Sequence, residues 1–116
     1  MPESLPEERA AAVKAASEAY KTWSETAVQR RVRTMFRFQR LVEDNMDELA
    51  AIITREQGKT LPDARGDVFR GFEVVEHSCA TAQLMLGDTL ENVASGTDIY
   101  SIRQPLGVCA GIAPFK

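Results

Sequence analysis

The sequence predicts an α/β fold that is mostly α-helical over this span, with three helices followed by two strands and ending in a first core strand. Three observations carry that prediction: apolar stripes at helical spacing set between capping signals, a short β-forming stretch after them, and a charge-free run of small apolar residues from Pro105 to Phe115. The run reads as a buried strand of the parallel type, the kind that opens a dinucleotide-binding α/β domain. Such a strand needs a crossover and a neighbouring strand to take its backbone hydrogen bonds. The chain is therefore expected to be the opening of a larger protein, with no complete domain of its own.

The first helix is expected to start at Ser4-Leu5-Pro6-Glu7, a capping box in which Ser4 caps the N–H of Glu7 and the Glu7 carboxylate reaches back. Ala12, Ala16, Ala19, Tyr20 and Trp23 share one face, and Ser24-Glu25 breaks and recaps. From Thr26 to Glu56 the residues Val28, Val32, Met35, Val42, Met46, Leu49 and Ile53 recur at helical steps, predicting one long helix closed by Gly58 in a left-handed cap. Thr60-Leu61-Pro62-Asp63 starts a third helix, with Val68, Phe72, Val75, Cys79, Ala82 and Leu86 on its apolar face and Gly87-Asp88 at its end.

Glu91 to Thr97 reads as a polar loop turning at Gly96, and Ile99 to Gln104 as a half-exposed strand. Pro105 then separates it from the terminal buried strand. Residues 98–105 are expected to act as an oligomerisation-type strand.

The chain has 116 residues, 44% of them hydrophobic, enough in principle to bury a core. Fourteen lysines and arginines against 17 acids leave a net charge of −3, so neither nucleic acid nor an anionic membrane is an expected partner. Arg30, Arg31, Arg33, Arg37 and Arg40 are answered on the same predicted helix by Glu43, Asp44, Asp47 and Glu48. No run approaches the ~20 apolar residues of a membrane span. Cys79 and Cys109 have no Cys or His at metal-ligand spacing, so no metal is expected and a reduced intracellular compartment fits. Met1-Pro2-Glu3-Ser4 has neither a signal peptide's apolar core nor the character of a transit peptide.

Glu56-Gln57-Gly58-Lys59-Thr60-Leu61, the run Gly66-Asp67-Val68-Phe69-Arg70-Gly71, Val74-Val75-Glu76-His77 and Gly111-Ile112-Ala113-Pro114-Phe115 together resemble the acylating methylmalonate- and malonate-semialdehyde dehydrogenases. These form a coenzyme A-dependent branch of the aldehyde dehydrogenase superfamily, and the resemblance covers about Glu7 to Phe115. It implies an aldehyde dehydrogenase-like fold of which residues 1–116 are the N-terminal part of the NAD-binding domain. It also implies a chemistry in which a cysteine thiolate attacks the semialdehyde and hydride passes to NAD. The thioacyl enzyme then loses carbon dioxide and hands its acyl group to coenzyme A, in valine and pyrimidine or inositol breakdown. The whole enzyme is expected to be a homo-oligomer, mitochondrial in a eukaryote and cytoplasmic in a bacterium.

By the same resemblance Arg70 binds the substrate carboxylate, a role suited to a bidentate guanidinium. Read without the family, Arg70 is an exposed helix arginine paired with Glu73. Ala113 and Phe115 match positions where the family touches NAD; as plain residues they are core packing. The family's oxyanion-hole asparagine falls at Lys116, and its nucleophilic cysteine and general-base glutamate fall beyond it. Neither Cys79 nor Cys109 substitutes, since each lies in an apolar stretch.

The chain alone is thus expected to carry no catalytic residue and to be silent. The alternative is a helical interaction module that docks on a full-length dehydrogenase subunit, with Tyr100 to Gln104 adding an edge strand. Lys59 answers the helix dipole, His77 is a surface residue beside Glu73, and Tyr20, Trp23, Phe36 and Phe38 are packing aromatics.

Overall fold

A computed structural model describes residues 4–113, and among them are five helices and two strands. The helices are α1 (Pro6–Trp23), α2 (Val28–Asp44), α3 (Met46–Gln57), α4 (Leu61–Cys79) and α5 (Thr81–Leu84); the strands are β1 (Thr89–Ala94) and β2 (Thr97–Tyr100). They divide between two compact units, one of Val28–Leu86 and one of the described residues of Met1–Ala27 and Gly87–Phe115.

In the helical unit the continuous helix expected from Thr26 to Glu56 is two helices, parted at Asn45 with φ −115° and ψ 16°. The reason is local. The backbone N–H and the Nδ2 of Asn45 both donate to the Leu41 carbonyl, at 3.2 and 2.7 Å, and a side chain competing for a helix carbonyl bends the helix there. The stripe survives the break, because Val42, Met46 and Ile53 still pack on a core of Ala50, Ala64 and Val68.

Gly58 closes α3 in the left-handed region at φ +79°, its N–H donating to the Thr54 carbonyl at 2.9 Å. Thr60 caps α4, accepting from the Asp63 N–H at 3.4 Å, with proline in the first turn. The third predicted helix is also interrupted, at Ala80, where the Thr81 hydroxyl takes the Ser78 carbonyl and the chain tightens before the single turn of α5. Ala50 and Ala64 have no exposed surface, Val32, Val68 and Phe72 are the other buried apolar residues among those described, and Leu49 and Leu86 of the expected stripes are exposed. Small residues at the α3–α4 contact let the two backbones approach closely.

In the other unit α1 begins one residue later than the expected box. Leu5 is the N-cap and has no side-chain acceptor, so only the returning half forms, the Leu5 N–H donating to Glu8 Oε2 at 2.8 Å. The expected alanine face of α1 buries no residue and Trp23 is exposed rather than packed, as are Phe36 and Phe38 of α2 in the helical unit.

The segment expected to be a polar loop, Glu91 to Thr97, is mostly strand. β1 pairs antiparallel with β2 in the register Thr89↔Tyr100, Leu90↔Ile99 and Ala94↔Thr97. Two features reconcile a polar sequence with a hairpin. Gly96 takes φ +72° in the turn, and Asn92, at φ +49° with its N–H on Asp98 Oδ1 at 2.8 Å, absorbs the irregularity between Leu90 and Ala94.

The strand expected over Ile99 to Gln104 ends at Tyr100; at the next rung, between Asp88 and Ser101, the Ser101 hydroxyl takes the place of its backbone carbonyl as acceptor. The Ser101 N–H donates to the Asp88 carbonyl at 2.9 Å, and the Asp88 N–H donates to Ser101 Oγ at 2.8 Å. The described part of the expected buried strand, residues 105–113, pairs in no ladder, and Leu106 and Ile112 stand fully in solvent. A strand is stabilised by its partner's backbone groups, and composition alone cannot supply them.

Candidate functional site

Arg70 sits midway along α4, its side chain 80% exposed. The helix that carries it is set by the Gly58–Thr60 turn at one end and by the packing of Ala64, Val68 and Phe72 along one face. Arg70 lies on the opposite side, two residues from both Val68 and Phe72, so the apolar spacing that buries those residues also turns the guanidinium outward. Its ion-pair contact is with Asp67 Oδ1 at 3.8 Å, one turn before it, and not with Glu73, the partner the sequence suggested.

Asp67 is itself held. Its Oδ2 accepts from the ammonium of Lys59, and both side chains are about three-quarters buried. Lys59, expected to answer a helix dipole, instead bridges from the α3–α4 turn to the second turn of α4. Nothing in the local pattern signals this, because the partners are eight residues apart and straddle a helix start. A second bridge, Arg65 to Asp47 at 3.0 Å, ties α4 to the first turn of α3.

Further along α4, Gln39 Nε2 donates to Glu76 Oε1 at 3.4 Å and Cys79 Sγ lies 3.7 Å from Gln39 Oε1, linking α2 to α4. His77 is exposed. The arginine-rich face of α2 is answered as expected only in part. The Arg40 Nε–H is shared between both carboxylate oxygens of Asp44 at 2.9 and 3.0 Å, and that hydrogen bonding, with the charges of Asp44 and Glu43, raises its pKa above the ordinary value. Arg31 instead tucks its Nη2 against Met85 Sδ at 3.7 Å, with its Nε buried and without a hydrogen-bond partner among the described residues.

Of the expected cofactor contacts, Ala113 is exposed and in no regular element, while Phe115 lies outside the described residues. Ala113 offers an open backbone and a methyl group, which fits van der Waals contact with a nucleotide but supplies no charge and no hydrogen-bonding side chain. Cys109, expected inside a core strand, is exposed, and Cys79 is half-buried; neither is in a disulfide. No group of three metal-ligating side chains occurs among the described residues, and no helix among them is long and apolar enough to cross a membrane.

The model of the aldehyde dehydrogenase family matches residues 1–116. A Dictyostelium discoideum protein named probable methylmalonate-semialdehyde/malonate-semialdehyde dehydrogenase (acylating), mitochondrial, is 61% identical over all 116 residues. The Rattus norvegicus mitochondrial enzyme of the same designation is 50% identical over the same length. This chain spans 22% of each of those relatives. The backbone superposes with a TM-score of 0.88 on a protein from Sinorhizobium meliloti 1021, solved in complex with NAD and assigned as a methylmalonate-semialdehyde dehydrogenase. That match is 44% identical and covers 98% of this chain and 23% of that one.

Proposed function

This chain belongs to the aldehyde dehydrogenase family, and from that premise we propose that it is the N-terminal segment of an acylating (methyl)malonate-semialdehyde dehydrogenase. The observation that carries the reading is the 61% identity to the Dictyostelium relative across the whole chain. The proposed reaction converts a semialdehyde, NAD and coenzyme A into an acyl-coenzyme A, carbon dioxide and NADH. NAD, when bound, takes the hydride; the acyl group is propionyl or acetyl according to the semialdehyde.

Within that reaction the work of this segment is binding. Arg70 would hold the free carboxylate that distinguishes these substrates from simple aldehydes, through a guanidinium that is exposed. Ala113 and Phe115 would line the nucleotide's side, and no step of the chemistry is assigned to them. The segment is silent alone, works as part of a homo-oligomer, and acts in mitochondria in a eukaryotic host, in keeping with the mitochondrial names of its eukaryotic relatives.

The test is a full-length chimera in which this chain replaces the matching segment of the Dictyostelium protein. We expect coenzyme A-dependent NADH formation from malonate semialdehyde by the chimera and none by the 116-residue chain alone. A chimera that folds, oxidises simple aldehydes and ignores malonate semialdehyde would sink the reading.

A second reading, docking of the chain on a full-length subunit, is favoured by the exposed Ile99 and Tyr100 of β2. Co-purification of the chain with a tagged full-length relative supports it, and absence of association at micromolar concentration removes it.

A further inference from the structure

We propose that Asp67, tethered by Lys59, is a positioning residue that presents the Arg70 guanidinium to the substrate carboxylate. The proposal rests on the reading of Arg70 as that carboxylate's partner and adds to it the device that aims the arginine.

Lys59 stands between two caps, Gly58 in the left-handed region and Thr60 at the start of α4, so its backbone is set on both sides. Its ammonium bonds Asp67 Oδ2 with side chains only 24% and 23% exposed, whereas the Lys21–Glu18, Arg40–Asp44 and Arg65–Asp47 pairs are each at least half exposed on both sides. A shielded pair is less screened by salt and less frayed by side-chain motion than an open one. The second oxygen, Oδ1, faces Arg70 Nη1 at 3.8 Å. That distance attracts without forming a hydrogen bond, so the contact steers the guanidinium while leaving its N–H fork for another carboxylate. Gly71 adds room, since a Cβ there would meet no atom within 4 Å.

The three groups carry a net charge of +1, which favours an anion beside them. This gives the proposal a distinctive sign. Removing the Asp67 charge makes the site more positive and, if charge were all that mattered, would tighten an anionic substrate. A positioning role predicts the reverse, because a released arginine spreads over many rotamers and must be re-ordered on binding.

The experiment uses the full-length chimera and compares malonate semialdehyde with propionaldehyde, which has no carboxylate, by NADH release. For Asp67→Asn we expect the ratio of the two KM values to rise about five- to tenfold with the change in KM rather than kcat, and Asp67→Glu to recover part of it. A ratio that stays put or falls overturns the proposal. Arg70→Ala separates the two ideas: if it raises the ratio and Asp67→Asn does not, the arginine reading stands and the positioning role is wrong. If Arg70→Ala leaves the ratio unchanged, both are wrong. Should Asp67→Asn yield no soluble enzyme, Lys59→Met releases the tether and keeps the carboxylate. It is then expected to raise the ratio about threefold, and no rise overturns the proposal.

Discussion

Gly87 approaches Ser101 so closely that a Cβ at position 87 would collide with the Ser101 carbonyl oxygen and lie 2.8 Å from its carbonyl carbon. The two hydrogen bonds between Asp88 and Ser101 clamp the chain at the same point, the base of the β1–β2 hairpin. The obstacle to a side chain is backbone, which cannot swing aside as a long side chain can. Gly87→Ala is therefore expected to loosen the hairpin base by about 1–3 kcal/mol. The readout is hydrogen exchange at the Ser101 amide, which should speed up about tenfold or more. Unchanged protection would mean that the close approach is not needed.

Gly58 poses the opposite case. A Cβ there would meet nothing within 4 Å, yet φ is +79°, so the whole penalty for alanine comes from the left-handed backbone. Gly58→Ala should weaken the α3 C-terminus by about 1–2 kcal/mol, and Gly58→Asn by less, because asparagine tolerates this region. Exchange of the Gly58-position amide, which donates to Thr54, reports both variants. Equal effects of Ala and Asn would contradict a backbone origin.

Ala50 is fully buried where α3 meets α4, and its neighbour Ala51 is exposed. Ala50→Leu should push the helices apart at a cost of about 1–3 kcal/mol. Ala51→Leu, chemically the same change, should stay within about 0.5 kcal/mol. Comparison of amide protection across α3 and α4 in the two variants checks this, and similar losses in both would show that the α3–α4 contact is not the governing one.

The 116-residue chain by itself should show strong helical circular dichroism and a broad, poorly cooperative melt. Its buried apolar residues among those described are Val32, Ala50, Ala64, Val68 and Phe72, whereas Leu86, Ile99, Tyr100, Ile102 and Leu106 are all more than half exposed. So small a core cannot enforce all-or-none packing, and so much open apolar surface should bind a hydrophobic dye. A sharp, concentration-independent transition would contradict this.

The helix ends and turns that were legible in the sequence are those written in backbone sterics. Gly58 and Gly96 adopt the positive φ their residue type allows, and Thr60 with Pro62 starts α4 where a cap and a first-turn proline place it. The breaks at Asn45 and Ala80 were not legible from the apolar period, because Val42, Met46 and Ile53 keep one face through the first of them. The hairpin was missed because Glu91 and Asn92 read as loop residues, and only pairing with β2 makes β1 a strand.

For the candidate site, Arg70 was legible through the run from Gly66 to Gly71 that resembles the family, while the hold of Lys59 on Asp67 was not. The Arg70–Asp67 contact is a pair three residues apart that helical spacing alone brings together, whereas Lys59 reaches Asp67 because α4 folds back from a capped turn and brings position 59 against its second turn.

By itself the sequence determined the helix ends at Gly58 and Thr60, the helical character of most of the chain and the family to which it belongs. These depend on residues a few positions apart or on their identities alone. Only the tertiary structure decided which stripe is buried, which carboxylate Lys59 takes and which stretches become strands. Burial, ion pairing and strand ladders each need a partner surface, and that partner is supplied by folding in space rather than by neighbours in sequence.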